Sequence, residues 1–165
     1  MGDILKIKKI KLTKNNLKKI MEIDSTFYKD DVLSMEWYLE RYNKNHSANV
    51  LVNSNKDYVG YIVSVPIKKE LYDALLKGVI INDLYVNPKM YDIVSKYHYI
   101  VSCVILEKYR GLGYGKAIME SVLKDSNINY IALTISKDGK KLASKYMKEY
   151  LIINKDVSVF VKGGD

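Results

Sequence analysis

Arg110-Gly111-Leu112-Gly113-Tyr114-Gly115 is the stretch that most constrains how this chain can fold. It follows an apolar run over residues 99–106, which reads as a buried strand. It leads into Tyr114, Ala117, Ile118, Val122 and Leu123, whose spacing marks one face of a helix. The order is strand, glycine turn, helix. Glycines let backbone come close to a ligand, and a helix start offers unpaired N–H groups and a positive dipole end. Such a turn can cradle phosphate. It can also simply join a strand to a helix.

The kind of cradle can be narrowed. No Gly-Lys-Ser/Thr stands at the spacing of a Walker loop. A dinucleotide-binding turn wants glycine or alanine three residues after Gly113, where this chain has Lys116. His46, His98 and Cys103 are the only histidines and cysteine, so no zinc-ligand cluster is expected. Serine-elbow and His-Glu-x-x-His motifs are absent.

At 165 residues, 48% of them hydrophobic, the chain is expected to form one compact domain with a real core. No apolar run approaches the roughly 20 residues of a membrane helix, and the first dozen residues contain no signal-peptide core. A lone Cys103 permits no internal disulfide, and a cytoplasmic protein fits these features. Net charge is +8, with seven lysines between Lys6 and Lys19. A solvated lysine face, attraction of a polyanionic cofactor, and nucleic acid are the candidate reasons. No recognition-helix or aromatic strand pattern supports the last, so nucleic acid is not the expected partner.

Along the chain, residues 4–12 alternate as a first strand, and Thr13 can cap a helix over 16–23. Ser34 can cap a second helix over 35–42. Residues 48–53 and 58–66 read as a hairpin that Pro66 should end. Residues 67–98 are too long for a hairpin loop and read as a functional lid or extra packing, with a short helix over 69–77 stopped by Gly78. Beyond the glycine turn come a strand over 130–136, a helix over 140–148, and a closing hairpin of 151–153 with 157–162. Strand, helix, strand implies a parallel right-handed crossover.

Arg-x-x-Gly-x-Gly after a strand resembles motif A of the GCN5-related N-acetyltransferases, and the order of elements matches that family over nearly the whole chain. Residues 146–151 also resemble the family's Tyr-Glu-Lys-x-Gly-Phe at the end of the last helix, with Tyr150 and Leu151 in place of its glycine and phenylalanine. Residues 67–98 resemble an insertion found in a bacterial subgroup of the family. The resemblance implies one acetyltransferase domain over residues 1–165. It implies an α/β fold of mixed α+β character, a twisted mixed sheet of about six to seven strands flanked by about four to five helices.

The resemblance also implies chemistry. Acetyl-coenzyme A would be the co-substrate, with no metal, and a small-molecule or peptide amine the acceptor. A homodimer is compatible with this, and no membrane association is expected. Backbone of Cys103, Val104 and Ile105 would hold the pantetheine arm, and Arg110, Gly111, Leu112, Gly113, Tyr114, Gly115 and Lys116 the pyrophosphate. Tyr146 would be the general acid that protonates the departing thiolate. No base matches cleanly: Thr134 stands where one branch of the family carries a glutamate, leaving as candidates Asp83, His98, a base acting through water, or an amine that arrives already neutral. A catalytically silent coenzyme A-binding module is the alternative to an enzyme, and a basic nucleic-acid-binding domain the more remote one.

Overall fold

The computed structural model describes residues 4–28, 33–81 and 86–163. The strands are β1 (Lys6–Lys11), β2 (Ser47–Val52), β3 (Tyr58–Ile67), β4 (Tyr97–Ile105), β5 (Asn129–Thr134), β6 (Lys148–Ile152) and β7 (Ser158–Lys162). The helices are α1 (Lys14–Tyr28), α2 (Met35–Arg41), α3 (Lys69–Leu76), α4 (Tyr114–Leu123) and α5 (Lys137–Ala143). The strands form one mixed seven-stranded sheet in the order β1-β2-β3-β4-β5-β7-β6. By contact density the chain forms two compact units, Met1–Val63 with Ser102–Val122, and Ser64–Val101 with Leu123–Asp165. Strands β3 and β4 contribute to both.

In the first unit β1 pairs antiparallel with β2, from Lys6↔Val52 to Lys11↔Ser47. Most of β1 is exposed, including its four lysines. Charge on an outer strand discourages pairing with another chain, so the basic N-terminal region has a structural use. α1 starts as the sequence suggests, with Thr13 Oγ1 accepting from Asn16 N–H at 3.3 Å. It is longer than predicted and buries Leu17, Ile20, Ile23 and Asp24. Ser34 caps α2 by accepting from Trp37 N–H. Gly60 on β3 is a close-approach glycine: a Cβ there would lie 3.0 Å from Leu51 Cδ1 and 3.1 Å from the Val104 carbonyl oxygen.

In the second unit β4 and β5 pair in parallel, Tyr97↔Asn129 through Ile100↔Ala132, as the crossover rule requires. β7 pairs antiparallel with β5 and with β6, and the β6–β7 hairpin turns where expected, with Asn154 Oδ1 accepting from Asp156 and Val157 N–H. Pro66 does not end β3, contrary to expectation. Its carbonyl accepts from Asp92 N–H at 2.9 Å and Lys68 N–H reaches Met90 O at 2.8 Å, so the bridge Ile67↔Tyr91 never asks proline for a donor. Between residues 67 and 98, α3 buries Leu71 and Leu75, Gly78 (φ 72°) stops it, and the rings of Tyr72 and Tyr97 lie 4.8 Å apart. Among the described residues of this segment, α3 is packed while Val79, Ile81, Ile93 and Val94 are exposed. The last helix is a correction too: α5 spans Lys137–Ala143 rather than 140–148, and Lys145 and Tyr146 N–H bond three residues back, to Leu142 and Ala143. The apolar spacing that suggested a longer helix continues through that tightened turn, with Ala143 and Met147 buried.

Candidate active site

The glycine turn has the geometry its composition suggested. Gly111 and Gly113 take φ values of 75° and 87°, the left-handed region that an L side chain strains to occupy. A Cβ built at either position would meet nothing within 4 Å. The two glycines are therefore required by backbone conformation, and the space beside them is open. Gly113 O accepts from Ala117 N–H, which makes Gly113 the residue before the first turn of α4. It has no side-chain oxygen that could cap the first turn of α4, the turn whose N–H groups a helix's own hydrogen bonds do not use. Gly111, Leu112, Gly113 and Lys116 are exposed. A diphosphate fits such a site: open space, several donors, a positive helix end and nearby cations.

Arg110 anchors the turn. Its Nε donates to the Ile105 carbonyl at 2.7 Å, tying the turn to the last residue of β4. Leu106 N–H donates to Val59 O at 2.9 Å, fixing the same end to β3. β4 runs on to Ile105, beyond its last recorded pair with β5 at Ile100↔Ala132. Val104 is buried, and Cys103 and Ile105 are half-buried. Burial pushes the Cys103 thiol up to about 12, so it stays protonated and unreactive.

The remaining predicted residues lie in the second unit or outside the described residues. Tyr146 is half-buried in the turn that follows α5, its N–H donating to Ala143 O at 3.0 Å. His98 stands at the opening end of β4, edge-on to the Tyr130 ring at 5.7 Å. Burial holds its pKa below the usual imidazole range, so its ring is neutral at physiological pH. Thr134 is buried and donates to Ser158 O at 3.4 Å. Asp83 lies outside the described residues.

Sequence reasoning missed Asp24. This carboxylate is only 4% exposed, yet both its oxygens are occupied. Tyr38 of α2 donates its hydroxyl to Oδ2, and Tyr61 of β3 donates to Oδ1 at 2.6 Å. The Tyr61 hydroxyl also lies 3.0 Å from Ser102 Oγ on β4. Burial raises the Asp24 pKa, and the two tyrosine hydrogen bonds pull against that rise. A signal was available: Asp24 falls on the same helical stripe as Leu17 and Ile20, which places a carboxylate on a core-facing row.

Among the described residues, no group of three or more His, Cys, Asp or Glu could hold a metal ion, and no helix is long and apolar enough to cross a membrane. Solved structures share the fold, among them the following three. Arabidopsis thaliana NAA60 in complex with acetyl-CoA superposes with a TM-score of 0.65 at 16% identity, covering 97% of this chain and 99% of that one. The GphF GNAT-like decarboxylase in complex with isobutyryl-CoA gives 0.68 at 11% identity, covering 97% and 100%. Diaminobutyrate acetyltransferase EctA from Paenibacillus lautus, in complex with L-2,4-diaminobutyric acid and coenzyme A, gives 0.59 at 12% identity, covering 99% and 96%. No curated protein matches the sequence. A family model, however, matches residues 17–148, a span that takes in the glycine turn and most of the sheet: the chain belongs to the acetyltransferase (GNAT) family.

Proposed function

We propose that residues 1–165 act as one acyltransferase domain that moves an acetyl or similarly short acyl group from its coenzyme A thioester to a primary amine of a small molecule or peptide. The glycine start of α4, with open space beside it, carries this reading. Two positive-φ glycines stand there with open space where a side chain would be, between Arg110 and Lys116. That is a recognition surface for the diphosphate of coenzyme A. The similar structures were solved with acetyl-CoA, isobutyryl-CoA and coenzyme A, which supports this ligand class.

Bound there, the co-substrate would supply an activated acyl carbon. The chain's own groups do the rest. The backbone of Cys103, Val104 and Ile105 lines up the pantetheine arm, and an N–H in that row can polarise the acyl carbonyl. Tyr146 gives a proton to the departing sulfur, a role that rests on its match to the family tyrosine. Tyr146→Phe should then lower kcat by about 10²–10⁴-fold while leaving cofactor affinity within a few-fold. Wild-type turnover in that variant would make Tyr146 a packing residue. The acceptor's proton has no obvious destination from sequence, since His98 and Asp83 were only candidates.

One observation favours a second reading, a silent coenzyme A-binding module. At the position where one branch of the family keeps a glutamate base, Thr134 is buried and bonded to Ser158. Release of thiol from acetyl-CoA, with and without a panel of primary amines, separates the two. Amine-dependent release supports transfer; binding without release supports the silent module.

A further inference from the structure

We infer that Asp24, Tyr61 and Ser102 form a proton relay that deprotonates the acceptor amine, with Ser102 as the group that meets it. This rests on the acyl-transfer reading above. All three residues lie in the first unit, with the glycine turn and with Cys103, one residue after Ser102.

The direction of the hydrogen bonds follows from the donor inventory. A phenol has one proton, and Tyr61 donates it to Asp24 Oδ1 at 2.6 Å. Across the 3.0 Å contact the Ser102 hydroxyl must therefore be the donor. Ser102 Oγ then offers its lone pairs as an acceptor. Of the three, Ser102 alone retains solvent access, while Asp24 and Tyr61 are 4% and 3% exposed. The carboxylate is thus a buried proton sink whose outlet is a hydroxyl on β4.

The transfer balances. An acceptor ammonium gives a proton to Ser102 Oγ as Ser102 passes its own to Tyr61 Oη and Tyr61 passes its own to Asp24. The N–H bond breaks, its electron pair stays on nitrogen, and Asp24 becomes a neutral acid. Tyr38 holds the other carboxylate oxygen throughout. Of the two protons the nitrogen loses overall, one leaves through Asp24 to solvent and the other ends on the sulfur of coenzyme A. Burial, which makes ionised Asp24 a stronger base than a surface carboxylate, suits the role.

A structural network joining α1, α2 and β3 would have the same geometry, so the test must separate the two. Tyr61→Phe and Asp24→Asn alter the core and can unfold it. Ser102→Ala removes one half-buried hydroxyl and leaves the Tyr61–Asp24 bond in place. Thiol release from acetyl-CoA is measured with primary alkylamines, which arrive protonated, and with hydroxylamine, which is already neutral at assay pH. The relay predicts that Ser102→Ala lowers kcat for alkylamines by about 10²-fold or more, with KM for acetyl-CoA unchanged and a much smaller loss for hydroxylamine. The Ser102→Ala, Tyr61→Phe double variant should be no slower than the worse single. Wild-type kcat in Ser102→Ala, or an equal loss for both nucleophiles, overturns the relay while leaving acyl transfer intact. No transfer by the wild-type protein to any amine, with acetyl-CoA bound, removes the acyl-transfer reading and the relay with it.

Discussion

Two strand-to-helix junctions in this chain solve the same problem in opposite ways. β5 passes into α5 through Ser136, whose Oγ accepts from Gly139 N–H at 3.1 Å. That is a side-chain cap, and it closes the helix start. β4 passes into α4 through Gly111 and Gly113, which have no side-chain oxygen, take left-handed φ, and face nothing within 4 Å. Glycine in the capping position gives up roughly a few tenths of a kcal/mol against serine. The contrast teaches that the α5 junction fills its helix start with a side-chain oxygen, whereas the α4 junction leaves open space at the same place.

That contrast can be broken most forcefully at Gly113. Gly113→Glu places a strained side chain and a negative charge in the open cradle. The stabilisation acetyl-CoA gives the wild-type protein, about 2.7 kcal/mol at a hundredfold excess over Kd, should vanish. Gly113→Ala carries the backbone strain without the charge and should keep part of the shift, which separates the two causes. Retention of the full shift in Gly113→Glu would mean the cradle is a plain turn.

A smaller effect is expected at Arg110, whose Nε holds the turn to Ile105 O. Arg110→Ala should weaken acetyl-CoA binding by about tenfold or more, in keeping with about 1.5–3 kcal/mol for a hydrogen bond to a charged group. Calorimetric titration measures this directly. Arg110→Lys keeps the charge but loses the planar fork, and should recover only part of the affinity.

The smallest effect belongs to the closed junction. Ser136→Ala should lower unfolding free energy by about 1 kcal/mol, read by denaturant titration. It should leave the acetyl-CoA shift as it was. An equal loss of cofactor binding would erase the distinction between the two helix starts.

The difference between these junctions was half legible in the sequence. Glycine content and the apolar run before it revealed the α4 turn, because both strand and helix periods survive in the residues around it. The capped start of α5 was placed too late, since Asp138-Gly139 reads as a turn although both residues lie inside the helix. Its end was placed too late as well, because Tyr146 and Met147 keep helical spacing through a tightened turn. Pro66 misled because a proline is harmful to a strand only where its missing donor is needed. Asp24 was hidden for a different reason. Its partners Tyr38 and Tyr61, and Ser102 against Tyr61, come from three separate elements, and only folding brings their hydroxyls together.

The most direct test of the open junction compares two ligands on the wild-type protein. Acetyl-CoA carries the diphosphate, and S-acetylpantetheine has the same reactive arm without it. Thermal shift and calorimetry at matched concentrations should show acetyl-CoA binding and raising Tm, with little or no response to S-acetylpantetheine. Equal responses to both, or none to acetyl-CoA at millimolar concentration, would contradict the claim that the start of α4 is a diphosphate cradle.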